Sequence, residues 1–342
     1  MKEIKIIAEL AWGHDGDINQ AINLLRAAKD AGADLFSIHI TDIPTYMVKY
    51  YGNGEGKVSA GRESLDVYNY LEKINISEEN WLLFSSEAKK IDLPLCVMPN
   101  DFNSLAFSEK SINPEYYVVS AACFVEEEFL RSIARTGKKT FFRIGGAYLG
   151  EIEKAINIFK EEKNSEIVLL HGFQNYPTKL EETNLAFLTT LKNLFNLEVG
   201  LADHIDGGDE LAAVIPMMSI AYGATYIEKH ITLDRNQKSE DFESALDPQQ
   251  FAKMVGFIKS AQVAVGDNFI SELSPATIRY RNVSRKRIVA SKNLAKGERI
   301  QLQDLSFKRC DIGLTPDCLD KIVGRVLLKD INADDAINYE LF

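Results

Sequence analysis

The chain has 342 residues, 46% of them hydrophobic and 26% charged, with a net charge of −11. The length suits a barrel of roughly 250 residues plus a small module. The acidic balance argues against nucleic acid, which requires a concentrated basic face. No apolar run approaches the roughly eighteen residues of a membrane span, and MKEIKIIAEL forms no apolar signal core. Four cysteines, Cys96, Cys123, Cys310 and Cys318, are too few for a disulfide framework in a chain of this size. A cytoplasmic enzyme is expected, with no nucleic-acid or membrane partner.

In chain order, short apolar runs alternate with stretches of helical periodicity, the pattern of parallel strand–helix units. The predicted strands are Ile4–Leu10, Asp34–Ile40, Leu93–Pro99, Tyr116–Ala121, Thr140–Gly145, Ile167–Gly172, Leu197–Asp203 and Ala224–His230. Predicted helices between them include Ile18–Ala31, Gly150–Lys163, Lys179–Leu194 and Asp209–Tyr222. Eight strands within residues 1–265 point to a closed (β/α)₈ TIM barrel, and no Gly-x-Gly-x-x-Gly follows the first strand to favour a dinucleotide fold. Residues Thr41 to Asn75 make an unusually long connection after strand 2, containing Tyr46, Tyr50, Tyr51, Lys57 and Arg62. It reads as a lid or binding loop at the catalytic mouth. Residues 266–282 read as a linker, and 283–342 as a compact β-rich domain. The basic cluster Arg279, Arg281, Arg285, Lys286 and Arg287 straddles their junction. It reads as a solvated surface, with one or two residues facing an anionic substrate as the alternative.

All five histidines, His14, His39, His171, His204 and His230, fall at or just beyond a predicted strand's C-terminal end, the catalytic face of such a barrel. The group therefore reads as functional. Strands 7 and 8 are neighbours, about 4.8 Å apart, so His204 and His230 could share a metal. Imidazole ligands favour manganese, cobalt, zinc or iron over magnesium. Asp203 and Glu228 are expected to point away from their neighbouring histidines. Glu9 is the expected inward carboxylate, as a general acid or base or an acceptor for a sugar hydroxyl.

The motifs, taken in order, are similar to those of the sialic acid (N-acetylneuraminate) synthase family across essentially the whole chain. IIAELAWGHDGD resembles its first-strand motif, and LLHGFQNYPTKLEETNL its strand-6 motif. VGLADH and YIEKHITLDR resemble its metal-site motifs. RIVASKNLAKGERIQLQDLSFKRCDIGL resembles its antifreeze-like (SAF) domain. The resemblance implies metal-dependent condensation of phosphoenolpyruvate with an N-acylated amino sugar. The product would be a sialic-acid-like nonulosonic 2-keto acid for surface carbohydrate, and the metal manganese, with magnesium, cobalt, zinc or iron as alternatives. It further implies that His204 and His230 bind the metal, and that Glu9, Tyr176 and Asn184 lie near the substrates. Arg309 would reach the sugar of the other subunit in a domain-swapped homodimer.

The departures from the pattern cluster where phosphoenolpyruvate should bind. Two family lysines become Ser37 and Tyr117, and a family Gln becomes His39. Ser120 survives while the acid two residues on is Ala122. The strand-5 motif becomes Arg143-Ile144-Gly145-Gly146, and Gly172, Gln174 and Ala202 replace further polar positions. Arg143 could replace the lost lysines by gripping phosphate or carboxylate bidentately, with Lys57 and Arg62 supplying further charge. The alternative is a site that no longer uses phosphoenolpyruvate. His39 would then join His204 and His230 in a three-histidine metal site acting as a hydrolase, lyase or isomerase. A non-catalytic binder of a glycan intermediate is a third reading, disfavoured by the retained histidines.

Overall fold

A computed structural model describes residues 3–50, 67–173, 175–266, 270 and 272–342. Eight parallel strands close into one barrel in sequence order: β1 Lys5–Glu9, β2 Leu35–Ile40, β3 Leu95–Pro99, β4 Tyr116–Val119, β5 Lys139–Arg143, β6 Ile167–His171, β7 Glu198–Asp203 and β8 Ala224–His230. Each predicted strand is present, seven of the eight shorter by one or two residues. These runs are apolar on both faces because both are covered, as parallel strands require. Ile7, Leu35, Cys96, Val118, Phe141, Val168 and Leu170 fill the barrel's interior. The opposite face packs Ile6, Phe36, Ile38, Val97, Val119, Phe142 and Leu169 against the helices.

The helices start where the sequence supplies caps. Asp17 Oδ1 accepts from Asn19 N (2.8 Å) before the helix Ile18–Asp30. Asp247 and Gln250 form a reciprocal capping box before Pro248–Val265. Two predicted helices come out differently. Lys179–Leu194 is a 3₁₀ turn at Leu180–Glu182 followed by a helix over Phe187–Phe195. Asp209–Tyr222 shrinks to one helical turn, Ile215–Met218, and a 3₁₀ turn, Ser219–Tyr222. Asp206 and Asp209 there accept from the backbone N–H two residues on, at Gly208 and Leu211 (both 2.7 Å). Such local bonds compete with helix formation, and Pro216 supplies no N–H to extend it backwards.

The strand-2 connection contains helices at Ile43–Tyr46 and Val67–Ile74, where the sequence pattern gave only loop. Lys57 and Arg62 lie outside the described residues. Asn75 Nδ2 donates to Thr41 O (2.8 Å), closing the base of this connection. Tyr70 Oη donates to Glu240 (2.9 Å), tying it to the segment after β8.

At the C-terminal tips of β5 and β6 the backbones nearly touch. A Cβ at Gly145 would lie 2.0 Å from Gly172 O, and one at Gly172 would lie 1.9 Å from Ala202 O. Only glycine fits such an approach.

The chain forms two compact units, residues 1–266 and 267–342. Part of the expected linker is helical: Pro275–Ser284 starts at Ser274, whose Oγ accepts from Thr277 N (3.1 Å), and buries no residue. Proline at the first helical position and serine as cap explain it. The second unit pairs β9 Lys286–Ala290 antiparallel with β10 Leu305–Arg309. Ile288, Leu294, Ile300, Ile322, Leu327, Ile331 and Ile337 form a core of its own. Among the described residues no helix is long and apolar enough to cross a membrane.

Candidate active site

Toward the C-terminal ends of the strands, the barrel's interior face changes from apolar to charged. Register places Glu9 on β1 opposite Ser37 on β2 and His230 on β8. Side chains alternate along a strand, so residues two apart share a face. Glu228 therefore points inward with His230, contrary to the expectation that it faces away; the two are separated by two residues rather than one. Asp203 does turn away from the interior, and its Oδ2 meets Lys229 Nζ at 2.5 Å.

Four strands thus assemble one charged cluster. Arg143 Nη2, from β5, lies 2.6 Å from Glu9 Oε2 and 2.7 Å from Glu228 Oε1. His39 Nε2 lies 2.8 Å from Glu9 Oε1, which also accepts from Ala11 N (3.2 Å). Glu9 and Glu228 are essentially without solvent exposure. The guanidinium contacts are close but out of line, leaving Arg143 Nε and Nη2 without an aligned acceptor.

Burial opposes charge on Glu9, but Arg143 and the His39 and His230 imidazoles outweigh it and hold the carboxyl well below its ordinary range. Glu228 is pushed up to about 7 by burial; Arg143 works against that rise, and the neighbouring Glu9 adds to it. Burial also opposes charge on Arg143, yet the two carboxylates raise its pKa further. Glu9 is therefore a fixed anion, and Glu228 is the carboxyl able to exchange a proton near neutrality. Arg143 was expected to be free to grip phosphate, but the chain's own carboxylates already occupy it. Their positions come from β1 and β8, far from it in sequence.

His204 and His230 stand side by side, ring centroids 5.2 Å apart. Burial and nearby positive charge keep His204 well below its usual pKa, and burial lowers His230 to about 3. Both are neutral imidazoles able to bind a cation. His204 Nδ1 and Nε2 and His230 Nε2 are buried without a hydrogen-bond partner, as fits ligands to a metal. A divalent ion held there would have two protein ligands, its other positions open to water or substrate. Among the described residues no group of three or more His, Cys, Asp or Glu comes together for a metal. The three-histidine site does not form there, since His39 is turned onto Glu9.

His14 and His171 have contacts of their own outside this pair. His14 is buried beside Trp12 and Trp81, and its Nδ1 accepts from Gly16 N (3.0 Å). His171 lies between Phe173 and Phe187, with Nε2 2.9 Å from Thr183 O.

Tyr176 sets its ring edge-on against both interior imidazoles, at 4.8 Å from His204 and 5.6 Å from His230. Ser120 lies at the tip of β4, with Oγ 3.3 Å from Cys123 N as a cap. Tyr117 turns outward to Glu109 (2.6 Å), so it does not stand in for a lysine in the interior. Asn184 is exposed in a left-handed conformation (φ 42°) before the helix Phe187–Phe195, and no described contact joins it to the cluster. Arg309 is exposed in the second unit and donates to Val283 O (3.1 and 3.3 Å). Asp241 was missed. It follows β8 in a left-handed turn (φ 61°), and burial, with Glu240 and Glu9 nearby, raises its pKa to about 8. Nothing local in the sequence marks it apart from the neighbouring acids.

The NeuB family model matches residues 24–269 and the SAF domain model residues 285–342. A pseudaminic acid synthase of Campylobacter jejuni is 32% identical over 348 residues, spanning 98% of this chain and 96% of its own length. An N,N'-diacetyllegionaminic acid synthase of the same organism is 30% identical over 351 residues, spanning 98% and 99%. The solved N-acetylneuraminic acid (sialic acid) synthetase of Leptospira borgpetersenii, in complex with citrate, is 27% identical with a TM-score of 0.71, covering 83% of this chain and 93% of that one. A family match over most of the barrel, with relatives at this identity across both units, means that the chain belongs to the NeuB family and carries a SAF domain.

Proposed function

We propose that this chain is a carbon–carbon bond-forming synthase that condenses phosphoenolpyruvate with the aldehyde of an N-acylated amino sugar, giving a nonulosonic 2-keto acid and phosphate. The observation that carries it is the His204–His230 pair, whose unpartnered buried nitrogens stand beside the Glu9–Arg143–Glu228 cluster at the catalytic end of the barrel. A divalent cation bound by these imidazoles, manganese by preference, would polarise the aldehyde oxygen. Glu9, held anionic by Arg143 and His39, fixes the reacting groups by hydrogen bonding and carries no proton. Glu228, with a pKa near 7, takes one proton of the water that adds to C2 of the former enolpyruvate. It passes that proton to the aldehyde oxygen, whose C=O π bond opens as C3 bonds to the aldehyde carbon. The second water proton leaves with phosphate when the C2–O bond to phosphate breaks and C2 becomes the ketone. Tyr176 covers the imidazoles, and Asp241, protonated near neutrality and within the electrostatic reach of Glu9 and Arg143, could donate to a sugar hydroxyl. Phosphate release that requires both phosphoenolpyruvate and an N-acylated amino sugar tests the reading; release from neither combination rejects it.

One observation favours a second reading. Arg143, the one guanidinium described in the barrel's interior cluster, is already flanked by two carboxylates. That supports a less charged substrate and water activated at the metal, as in a hydrolase, lyase or isomerase. Calorimetric titration of the manganese-loaded protein with phosphoenolpyruvate separates the two. Micromolar binding supports the synthase, and no binding at millimolar concentration supports the second reading.

A further inference from the structure

Behind the two imidazoles, on the outer face of the same strands, lies a buried charge pair that the chemistry above leaves unused. Lys229 precedes His230 and Asp203 precedes His204. Strand alternation sends both side chains out of the barrel, away from substrate and under the helix layer. Lys229 is fully buried and Asp203 is 2% exposed. Lys229 Nζ lies 2.5 Å from Asp203 Oδ2 and donates to Ile205 O at 2.9 Å, so one ammonium grips the residues on both sides of His204.

The sheet alone does not hold His204. The β7–β8 ladder ends at the rung Asp203↔Lys229, and His204 lies one residue beyond it. Its carbonyl is held from other segments, by Thr178 N (2.8 Å) and Ser244 Oγ (2.7 Å). His230 O accepts from Leu246 N (3.0 Å). Lys229 links the strand that carries His230 directly to the residues on both sides of His204, alongside the 244–246 segment that holds both carbonyls. A buried ion pair adds little stability compared with well-packed apolar side chains of similar volume, so stability alone does not account for it.

We infer that Lys229 and Asp203 are positioning residues, a clasp that sets the spacing and orientation of His204 and His230. The inference deepens the proposed metal site, and its metal-binding readout rests on that reading. The ring geometry does not.

The test is the apolar exchange Asp203→Leu with Lys229→Met, which removes the clasp without stranding a charge. The double variant should fold, and should unfold within a few degrees of the parent, the lost hydrogen bond to Ile205 O offsetting what apolar packing gains. Its affinity for Mn²⁺ alone, by calorimetry, should fall ~10–100-fold, as when a group supporting a ligand is lost. A metal-free crystal structure should show the rings moved from their 5.2 Å separation. A folded double variant with unchanged ring separation and Mn²⁺ affinity overturns the inference. If the double variant does not fold, Asp203→Asn decides by the same two readouts: a smaller but measurable loss supports the clasp, and none overturns it. If the parent protein binds no Mn²⁺, the metal reading fails, and the ring geometry alone judges the clasp.

Discussion

Replacing Arg143 by methionine keeps an unbranched apolar stem while removing the guanidinium. In the folded protein that guanidinium lies 2.6 Å from Glu9 and 2.7 Å from Glu228, at 2% exposure. Its removal leaves two buried carboxylates without a countercharge, a loss of ~3–5 kcal/mol when one partner of a buried pair is taken away. The penalty depends on pH. Glu228 already titrates at about 7, and losing Arg143 raises it further. A carboxyl with a raised folded pKa destabilises the protein as pH climbs above its unfolded value, by ~1.4 kcal/mol per unit until the folded pKa is passed. The variant should therefore be much weaker than the parent at pH 8 and closer to it at pH 5.5, where Glu228 carries its proton in both. Urea unfolding at the two pH values measures this. A variant within ~1 kcal/mol of the parent at pH 8 that also loses its affinity for phosphoenolpyruvate would refute the reasoning. The guanidinium would then be a free anion grip, as the sequence alone suggested.

His14 has a folded pKa of about 3 because burial opposes its charge. Stability is thus lost as pH falls from the unfolded value near 6.5, by ~2 kcal/mol at pH 5. His14→Asn, which can still accept from Gly16 N, should lose that much less between pH 7 and 5, and parallel unfolding curves would show that the imidazole protonates in the folded state. His204→Ala and His230→Ala should each remove bound divalent metal and activity together, measured by metal analysis of the purified protein. Full metal content in either variant would reassign the ligands. Gly172→Ala should destabilise by ~3 kcal/mol or more, because its Cβ meets the Ala202 carbonyl, and a melting temperature near that of the parent would contradict the close approach.

The barrel was readable because each strand is a short apolar run bounded by turn residues, and a covered parallel sheet needs nothing subtler. His204 and His230 were readable because adjacent strands bring their ends together in any such barrel. Side-chain direction was harder. The inward face of Glu228 follows from simple alternation once its spacing to His230 is counted correctly. The surroundings of His14 do not follow, because it lies beyond its strand where alternation no longer applies; His171, the last residue of β6, faces away from the interior once it is counted from the inward Leu170. The occupation of Arg143 depends on contact across the barrel between β1, β5 and β8, which no local pattern records. Asp241 depends on a left-handed turn that brings one acid of several toward the cluster. The helix in the presumed linker was legible in Ser274 and Pro275, a cap and a first-turn residue that composition alone obscured.

The near contact of the β5, β6 and β7 tips has a consequence for how this site can diversify. At Gly145 and Gly172 the wall of the mouth is bare peptide, with a neighbouring carbonyl where any side chain would begin. In this chain a side chain could enter at either position only if the neighbouring strand tip moved, so a change of lining there comes with a change of backbone. At β1, β2 and β8 the lining can change by side chain alone.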